Sequence, residues 1–282
     1  MPQDSIKVDL HLHSTASDGT LSPSEILKMA KKEGIGIIAI TDHDTIKGVT
    51  SVTNEAISLG LKLIQGLEIS SKYRNGTLHI LGYGVETNSD FLLKKLQFCN
   101  EQRSRRNVKI INKLQNSGID ITLDDMLENA KNVHSLGRPH IASTLMKKGI
   151  VLSIQEAFDR FLGTNGSAFV SKEVFSAKEA IEIIKKSGGL AFVAHPMTLN
   201  RSESELINFI ENLKTYGLDG IELYSSYHQK KHVLLFKKIA KKLDLKVSAG
   251  SDFHGANKPS IAMGLCNVGS HVTIDQISEG IV

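Results

Sequence analysis

Short apolar segments and amphipathic segments follow one another along most of the chain. From Ile6 to Leu12, apolar and polar residues alternate, which is the pattern of a strand with two different faces. Residues 36–41 form a continuous apolar run, which is typical of a buried parallel strand. The strands that the sequence predicts are residues 6–13, 36–41, 61–69, 78–83, 189–194, 220–224 and 246–250.

Helical patterns separate most of these strands. Ser22 and Pro23 supply an N-cap and a first-position proline, and the helix that they begin runs to Lys32. Alternating strands and helices indicate a parallel sheet with helical crossovers. About seven such units, without a Gly-x-Gly-x-x-Gly motif, favour an α/β barrel over an open dinucleotide-binding sheet. The further helices are predicted at residues 46–59, 177–186, 204–216 and 230–243.

Residues 95–165 interrupt this alternation. The segment contains helical patterns and no convincing strand, and its longest helix is predicted from Glu101 to Leu114. We interpret it as a helical insert in a barrel that residues 1–94 and 166–282 form together.

Composition limits the class of protein further. The chain has 282 residues, a formal net charge of +4, 5% aromatic residues and two cysteines without a Cys-x-x-Cys pattern. The modest charge suits an anionic substrate, whereas the few aromatic residues argue against a stacking platform for long single strands. The cysteines fit neither a disulfide framework nor a thiolate zinc site. Without a signal peptide or a long apolar run, we expect a cytoplasmic protein with no membrane segment.

Histidines and carboxylates collect where strands give way to loops. Six of the eleven histidines belong to this set, and each of them alone has an ordinary structural explanation. An ordinary structural role does not explain why they recur at the ends of successive strands. In a parallel barrel, that rim is where functional residues lie. The set comprises His11, His13, Asp18, Asp42, His43, Asp44, Glu68, His79, His195, Asp252 and His254.

The chemistry of this set favours metal binding. His11 and His13 lie two residues apart in a strand and therefore project from the same face; the alternative is a pair of surface histidines on an edge strand. Nitrogen and oxygen ligands without sulfur suit zinc, manganese or iron(II). The candidates are too numerous for one four-coordinate ion, so we expect two to three divalent ions, with Glu68 as a possible bridge between two of them.

The motifs around these residues resemble those of the PHP (polymerase and histidinol phosphatase) family, in order and over nearly the whole chain. The resemblance implies a distorted (β/α)7 TIM-like barrel with a trinuclear metal site. The segments that carry it are Asp9-Leu10-His11-Leu12-His13-Ser14, Thr41-Asp42-His43-Asp44, Gly66-Leu67-Glu68-Ile69, His79-Ile80-Leu81-Gly82, Ala194-His195-Pro196 and Ser251-Asp252-Phe253-His254.

The resemblance also implies a distribution of ligands and roles. The first ion would be held by His11, His13, Glu68 and Asp252. The second would share Glu68 and add His79 and His195, and the third would take Asp18, His43 and His254. A metal-bound hydroxide would attack phosphorus, His195 or His254 could protonate the leaving group, and Asp42 and Asp44 would orient ligand histidines through hydrogen bonds.

The insert narrows the resemblance to one subgroup. Leu136-Gly137-Arg138-Pro139-His140 resembles an element of the subgroup that includes 3′,5′-nucleoside bisphosphate phosphatases and the 5′-to-3′ exoribonuclease RNase AM. That resemblance implies that the insert caps the metal site and that Arg138 and His140 bind substrate phosphate, as a guanidinium fork can. Lys172 follows in a second element that resembles the subgroup and is a further candidate for phosphate binding.

We therefore expect a metal-dependent phosphoesterase that acts on small nucleotides such as nucleoside 3′,5′-bisphosphates, or on the 5′ end of short RNA. The alternatives are a phosphatase of the histidinol-phosphate type, a processive nuclease on long RNA, and a catalytically silent nucleotide-binding module. The basic cluster Arg103, Arg105 and Arg106 is either a solvated helix face or a set of groups that reach the capped site. Nothing in the sequence indicates a stable protein partner.

Overall fold

The structure is a computed structural model that describes residues 5–73, 78–129, 136–171, 173–266 and 269–282. The candidate phosphate-binding residue Lys172 lies outside the described residues. Strands β1 to β9 form one sheet in the order β7-β6-β5-β4-β3-β2-β1-β9-β8. Their bounds are Lys7–Leu12, Ile35–Ile40, Lys62–Ser71, Leu78–Tyr83, Leu190–Val193, Gly220–Ser225, Lys246–Gly250, Leu265–Cys266 and Ser270–Thr273.

The two ends of the seven-strand series β1 to β7 meet. The backbone N–H of Asp252, just after β7, donates to the carbonyl of His11 at 2.9 Å, and the N–H of His13 donates to the carbonyl of Phe253 at 3.0 Å. Gly250 permits this approach, because a Cβ at its position would lie 2.2 Å from the Cβ of His11. The predicted α/β fold with barrel-like closure is confirmed. The seven predicted strands form the wall of the barrel.

Strand β4 departs from the all-parallel arrangement that the sequence indicated. It pairs antiparallel with both β3 and β5. The connection between β3 and β4 covers only residues 72–77, whereas a parallel crossover needs a dozen or more residues. Because β4 runs the opposite way, its first residues lie at the rim where the neighbouring parallel strands end. The short hairpin β8–β9, which borders β1, was not predicted.

Ten α-helices occur in the described chain. Helices α8, α9 and α10 match their predictions within a residue, but the predicted helix 46–59 is split at Val52, where Thr50 and Thr53 turn their hydroxyls back to backbone carbonyls. Helices α1 to α10 are Pro23–Lys32, Lys47–Ser51, Thr53–Ser58, Asp90–Asn116, Leu123–Asn129, Arg138–Lys147, Ile154–Ala157, Ala177–Lys186, Glu203–Thr215 and Lys230–Lys242. None of the helices in the described ranges is both long and apolar enough to cross a membrane.

Two hydrophobic cores lie along helix α4. Leu92 and Leu96, near its start, belong to the large core around the sheet. Ile110 and Leu114, near its end, belong to a smaller core built by α4, α6 and neighbouring segments up to Ala168. Because α4 begins at Asp90, under the N-cap Ser89, one continuous helix joins the barrel to the second core. The boundaries 95 and 165 of the insert stay a prediction.

Candidate metal centre and active site

The histidines and carboxylates singled out from the sequence converge at one end of the barrel. They come from different elements, yet they lie together; His43 and His79 are half-buried and the others are buried. His79 reaches this rim from the second position of β4 because that strand runs antiparallel to its neighbours. The other contributors are His11 and His13 at the end of β1, His43 after β2, Glu68 within β3, His195 after β5, and Asp252 and His254 after β7.

The first group consists of His11, His13, Glu68 and Asp252, and all four are at most 2% exposed. The Nε2 atoms of His11 and His13 lie 3.1 Å apart. Each lies 3.2 or 3.3 Å from Glu68 Oε2 and likewise from Asp252 Oδ1. Four ligands in a tetrahedral shell with bonds of about 2.0 Å are about 3.3 Å apart. The spacing of these atoms therefore fits one divalent ion.

Two more groups share residues with the first. His13, Asp18, His43 and His254 form one of them, with His254 Nε2 3.3 Å from Asp18 Oδ1. His43, Glu68 and His79 form the other, with His79 Nδ1 2.9 Å from Glu68 Oε1.

His195 lies beside the last of these groups, since its Nε2 is 3.2 Å from Glu68 Oε1. The nine residues expected as ligands thus lie together, and His13 and His43 each contact more than one group. The assignment of particular ligands to particular ions stays a prediction.

Unpartnered polar atoms support cation binding. Within the described residues, the buried atoms His13 Nδ1, His43 Nδ1 and His79 Nδ1 have no well-oriented hydrogen-bond partner. Such atoms are rare in protein interiors unless an ion or a water satisfies them.

The pKa values at the centre are strongly perturbed. Burial lowers the pKa of His13, but hydrogen bonds and charge from Asp252 and Glu68 outweigh it and raise that pKa to about 9. Burial holds the pKa of His43 well below its usual value. These residues fit divalent cations, which would compensate the same carboxylates while the imidazoles stay neutral.

Backbone strain is concentrated at this rim. Asp44, His195 and Asp252 have φ angles of 56°, 27° and 59°, a region that side chains other than glycine rarely adopt. They are three of the five non-glycine residues with positive φ in the described part of the chain. Such strain persists where the surrounding contacts fix it, and it is characteristic of functional sites.

Glu222 of β6 is a site residue that the sequence reasoning missed. Its Oε1 lies 2.8 Å from His11 Nδ1, and its Oε2 accepts the backbone N–H of His195 at 2.6 Å. The side chain is fully buried. A carboxylate on Nδ1 fixes the ring so that Nε2 faces the metal group. A charged residue inside the apolar run Gly-Ile-Glu-Leu-Tyr was the available signal.

We expect Glu222→Gln to weaken binding of Mn²⁺ about 10- to 100-fold. The glutamine can still accept from His11, but its NH₂ group would oppose the N–H of His195. Calorimetric titration of metal-free protein measures the change, and circular dichroism checks the fold. Glu211→Gln, at an exposed position of α9, is the matched control. Equal affinities of the two variants would show that Glu222 does not position His11.

The recorded contacts of Asp42 and Asp44 are with groups other than histidine rings, and their role in orienting ligand histidines stays a prediction. Within the described chain, Asp42 accepts hydrogen bonds from Ser14 and from the hydroxyl of Ser17 at 2.6–2.8 Å, so it supports the turn before Asp18. Asp44 accepts from the N–H of Ser70 at 3.0 Å and from Arg103 at 2.6 Å. It therefore links the rim of the barrel to helix α4.

Arginines from the second core lie next to this link. Arg103 and Arg106 are buried, whereas Arg105 is exposed, so the basic cluster is not simply a solvated helix face. Burial, together with the charges of Arg138 and Arg103, lowers the pKa of Arg106 to about 9. Arg138 donates to the carbonyl of Leu162 at 3.0 Å.

Helix α6 begins beside these guanidinium groups. The Nδ1 of His140 accepts the N–H of Gly137 at 2.9 Å, which caps the helix start. Burial lowers the pKa of His140, and Asp18 and Arg103 are close enough to influence it. The start of α6 therefore lies against Arg103, and His140 within it is close enough to Asp18 to be influenced by its charge.

A cavity of about 180 Å³ opens onto the metal-ligand groups. Besides His43, Glu68, His79, His195 and Asp252, its walls include Thr198, Tyr227 and Lys258. A concave site above buried ligands for divalent cations, flanked by cationic side chains, is typical of enzymes that hydrolyse phosphate esters.

Comparison with known proteins agrees with that class. The model of the PHP domain matches residues 9–134. A 5′-3′ exoribonuclease of Haemophilus influenzae is 37% identical, over 88% of this chain and 90% of its own length. A 3′,5′-nucleoside bisphosphate phosphatase of Chromobacterium violaceum is 30% identical, over 88% of this chain and 87% of its own.

A solved structure from Bifidobacterium adolescentis, described as a candidate metal-dependent phosphoesterase, superposes with a TM-score of 0.85 at 28% identity and covers 96% of this chain and 93% of its own. The chain belongs to the PHP family of phosphoesterases, hydrolases that act on phosphoester bonds.

Proposed function

We propose that this phosphoesterase cleaves the bond between a ribose 3′ oxygen and phosphorus in nucleotides that also carry a 5′ phosphate. The substrates would be nucleoside 3′,5′-bisphosphates and the 5′-phosphorylated ends of short RNA. The observation that carries the proposal is the set of guanidinium groups of Arg103, Arg106 and Arg138, whose charges influence one another. Arg103 lies against the start of helix α6 and bonds Asp44 at the rim of the barrel.

The arginine set needs an anion. Arg103 has Asp44 as a partner, but the Nε atoms of Arg103 and Arg106 have no hydrogen-bond partner within the described residues. Arg103 and Arg106 are buried and Arg138 is half-buried, so these three neighbouring cations repel one another, and the helix start adds partial positive charge. A phosphate group would neutralise them and accept several charge-assisted hydrogen bonds.

The metal-ligand groups would bind the reacting 3′ phosphate, whereas the arginines would bind the 5′ phosphate. We propose that His11, His13, Glu68 and Asp252 hold one divalent ion, and that the two remaining groups with His195 hold one or two more. Manganese, iron and zinc all suit these ligands. When bound, the ions would provide Lewis-acid charge and acidify water. The arginines would hold the 5′ phosphate, so that the 3′ phosphorus lies over the ligand groups.

One bond accounts for both types of substrate. Cleavage between the 3′ oxygen and phosphorus releases inorganic phosphate from a 3′,5′-bisphosphate. The same cleavage at the first nucleotide of an RNA releases a 5′-mononucleotide and leaves a 5′ phosphate on the next residue, ready for another cycle. The relative from Haemophilus influenzae, a 5′-3′ exoribonuclease, and the relative from Chromobacterium violaceum, a 3′,5′-nucleoside bisphosphate phosphatase, correspond to these two outcomes.

The test compares substrates that differ by one phosphate. Adenosine 3′,5′-bisphosphate, adenosine 3′-monophosphate, and short RNAs with 5′-phosphate or 5′-hydroxyl ends are incubated with the protein, with and without Mn²⁺. The proposal predicts that turnover requires metal and that kcat/KM falls at least about 100-fold without the 5′ phosphate.

Equal rates on 3′-mono- and 3′,5′-bisphosphate would overturn the role of the arginines. Preference for histidinol phosphate would favour that alternative substrate, and metal-independent nucleotide binding without turnover would favour a silent binding module. A cytoplasmic location, the absence of a stable protein partner and the capping role of residues 95–165 remain predictions.

A further inference from the structure

Lys258 lies in the wall of the cavity above the metal-ligand groups. It follows the short helical turn Gly255–Asn257 after β7. Its Nζ donates to Asp252 Oδ2 at 2.6 Å and to the hydroxyl of Tyr227 at 2.9 Å. Tyr227 in turn donates to the same Asp252 oxygen at 2.7 Å. The position of the ammonium group is thus fixed by two bonds.

The two oxygens of the Asp252 carboxylate contact different partners. Its Oδ1 faces His11 and His13 in the first metal-ligand group, whereas its Oδ2 is occupied by Tyr227 and Lys258. The two bonds use two of the three donors of the ammonium group. Within the described residues, no acceptor is recorded for the third donor, and the side chain remains about one-third exposed at the cavity.

A lysine in this place is more than a counter-ion for Asp252. Bound cations would already neutralise that carboxylate, and a fixed ammonium group next to them adds repulsion. The arrangement becomes favourable when a group with two or three negative oxygens enters the cavity. Arg103 of the arginine set pairs with Asp44, whereas Lys258 pairs with Asp252, so the two cationic sites are anchored on different carboxylates.

We propose that Lys258 is a further catalytic residue, whose third N–H contacts a non-bridging oxygen of the reacting phosphoryl group. This inference rests on the proposed function, because it places that phosphoryl group in the cavity. The ammonium group would stabilise the charge on phosphorus-bound oxygens from a preorganised position. Tyr227 would act as a positioning residue that holds the ammonium group in place.

The test uses Lys258→Met, which keeps the length of the side chain and removes its charge, and Lys258→Arg, which keeps the charge. At saturating Mn²⁺ we expect Lys258→Met to lower kcat about 100- to 1,000-fold and Lys258→Arg to recover part of the loss. Tyr227→Phe should have a smaller effect. Lys231→Met, at an exposed position of α10, is the matched control.

Binding of inorganic phosphate to Mn²⁺-loaded protein is the decisive second measurement. Lys258→Met should weaken it at least about 10-fold, with unchanged metal content. Phosphate affinity equal to that of the unaltered protein would overturn the inference, as would a loss that excess Mn²⁺ restores, because Lys258 would then act only through Asp252. If the unaltered protein turns over no nucleotide, the proposed function fails, while phosphate binding still decides the contact of Lys258.

Discussion

Replacing Glu68 by glutamine is expected to abolish tight metal binding and to lower kcat/KM at least about 1,000-fold, which corresponds to about 4 kcal/mol of transition-state stabilisation. The carboxylate lies at the middle of the centre. Its Oε2 is 3.0–3.3 Å from nitrogens of His11, His13 and His43. Its Oε1 is 2.9 Å from His79 and 3.2 Å from His195.

The physical reason is that glutamine keeps the shape of the side chain but not its charge. An amide presents one acceptor and one donor group, so one end would point N–H groups at imidazole nitrogens or at a cation. Two of the three metal-ligand groups contain Glu68, and both would be affected.

The measurements are bound metal per chain by mass spectrometry and nucleotide turnover at increasing Mn²⁺. Glu211→Gln again serves as the exposed control. A Glu68→Gln protein that retains a full complement of metal and normal turnover would contradict the central role of this residue.

The parts of the site that depend on local periodicity could be predicted from the sequence. His11 and His13 are two residues apart in β1, and strand geometry alone places them on one face; their ring centroids are 5.1 Å apart. The turn that carries Asp18 follows directly. In the same way, buried runs predicted the strands, and the N-cap residue Ser22 predicted the start of α1.

The parts that depend on closure of the barrel could not be predicted in this way. Glu222 and His11 are 211 residues apart in the sequence. No local sequence pattern predicts that a carboxylate of β6 contacts a histidine of β1. The recorded hydrogen bonds of Asp42 come from serines of the first turn, because several partners compete for one carboxylate. The parallel direction expected for β4 was wrong, because its short connection to β3 requires an antiparallel pair.

For the arginines too, the sequence shows that they are clustered but not which of them are buried. Arg103, Arg105 and Arg106 form one basic run, and only the packing of α4 against the rim determines which of them are buried. Helical geometry turns Arg105 to solvent while its two neighbours face inward. Within the described residues, Arg103 pairs with Asp44, whereas no ion pair is recorded for the buried Arg106.

Arg106→Met is expected to raise the free energy of unfolding by about 1–3 kcal/mol and to weaken substrate binding about 100-fold. A buried cation that is repelled by two others destabilises the folded state, so its removal relieves that cost. The same cation binds the 5′ phosphate, so its removal raises KM for 3′,5′-bisphosphates, whereas 3′-monophosphates without that group should be almost unaffected.

Urea unfolding and kinetics on the two nucleotides check both halves of this prediction, and Arg105→Met is the matched control one residue away. The combination distinguishes an anion site from a structural ion pair, because breaking a buried pair would lower stability and affect both substrates alike. A less stable Arg106→Met protein with unchanged KM for the bisphosphate would contradict the anion site. Higher stability together with selective loss of the bisphosphate would mean that the folded state tolerates this repulsion because the arginines bind phosphate.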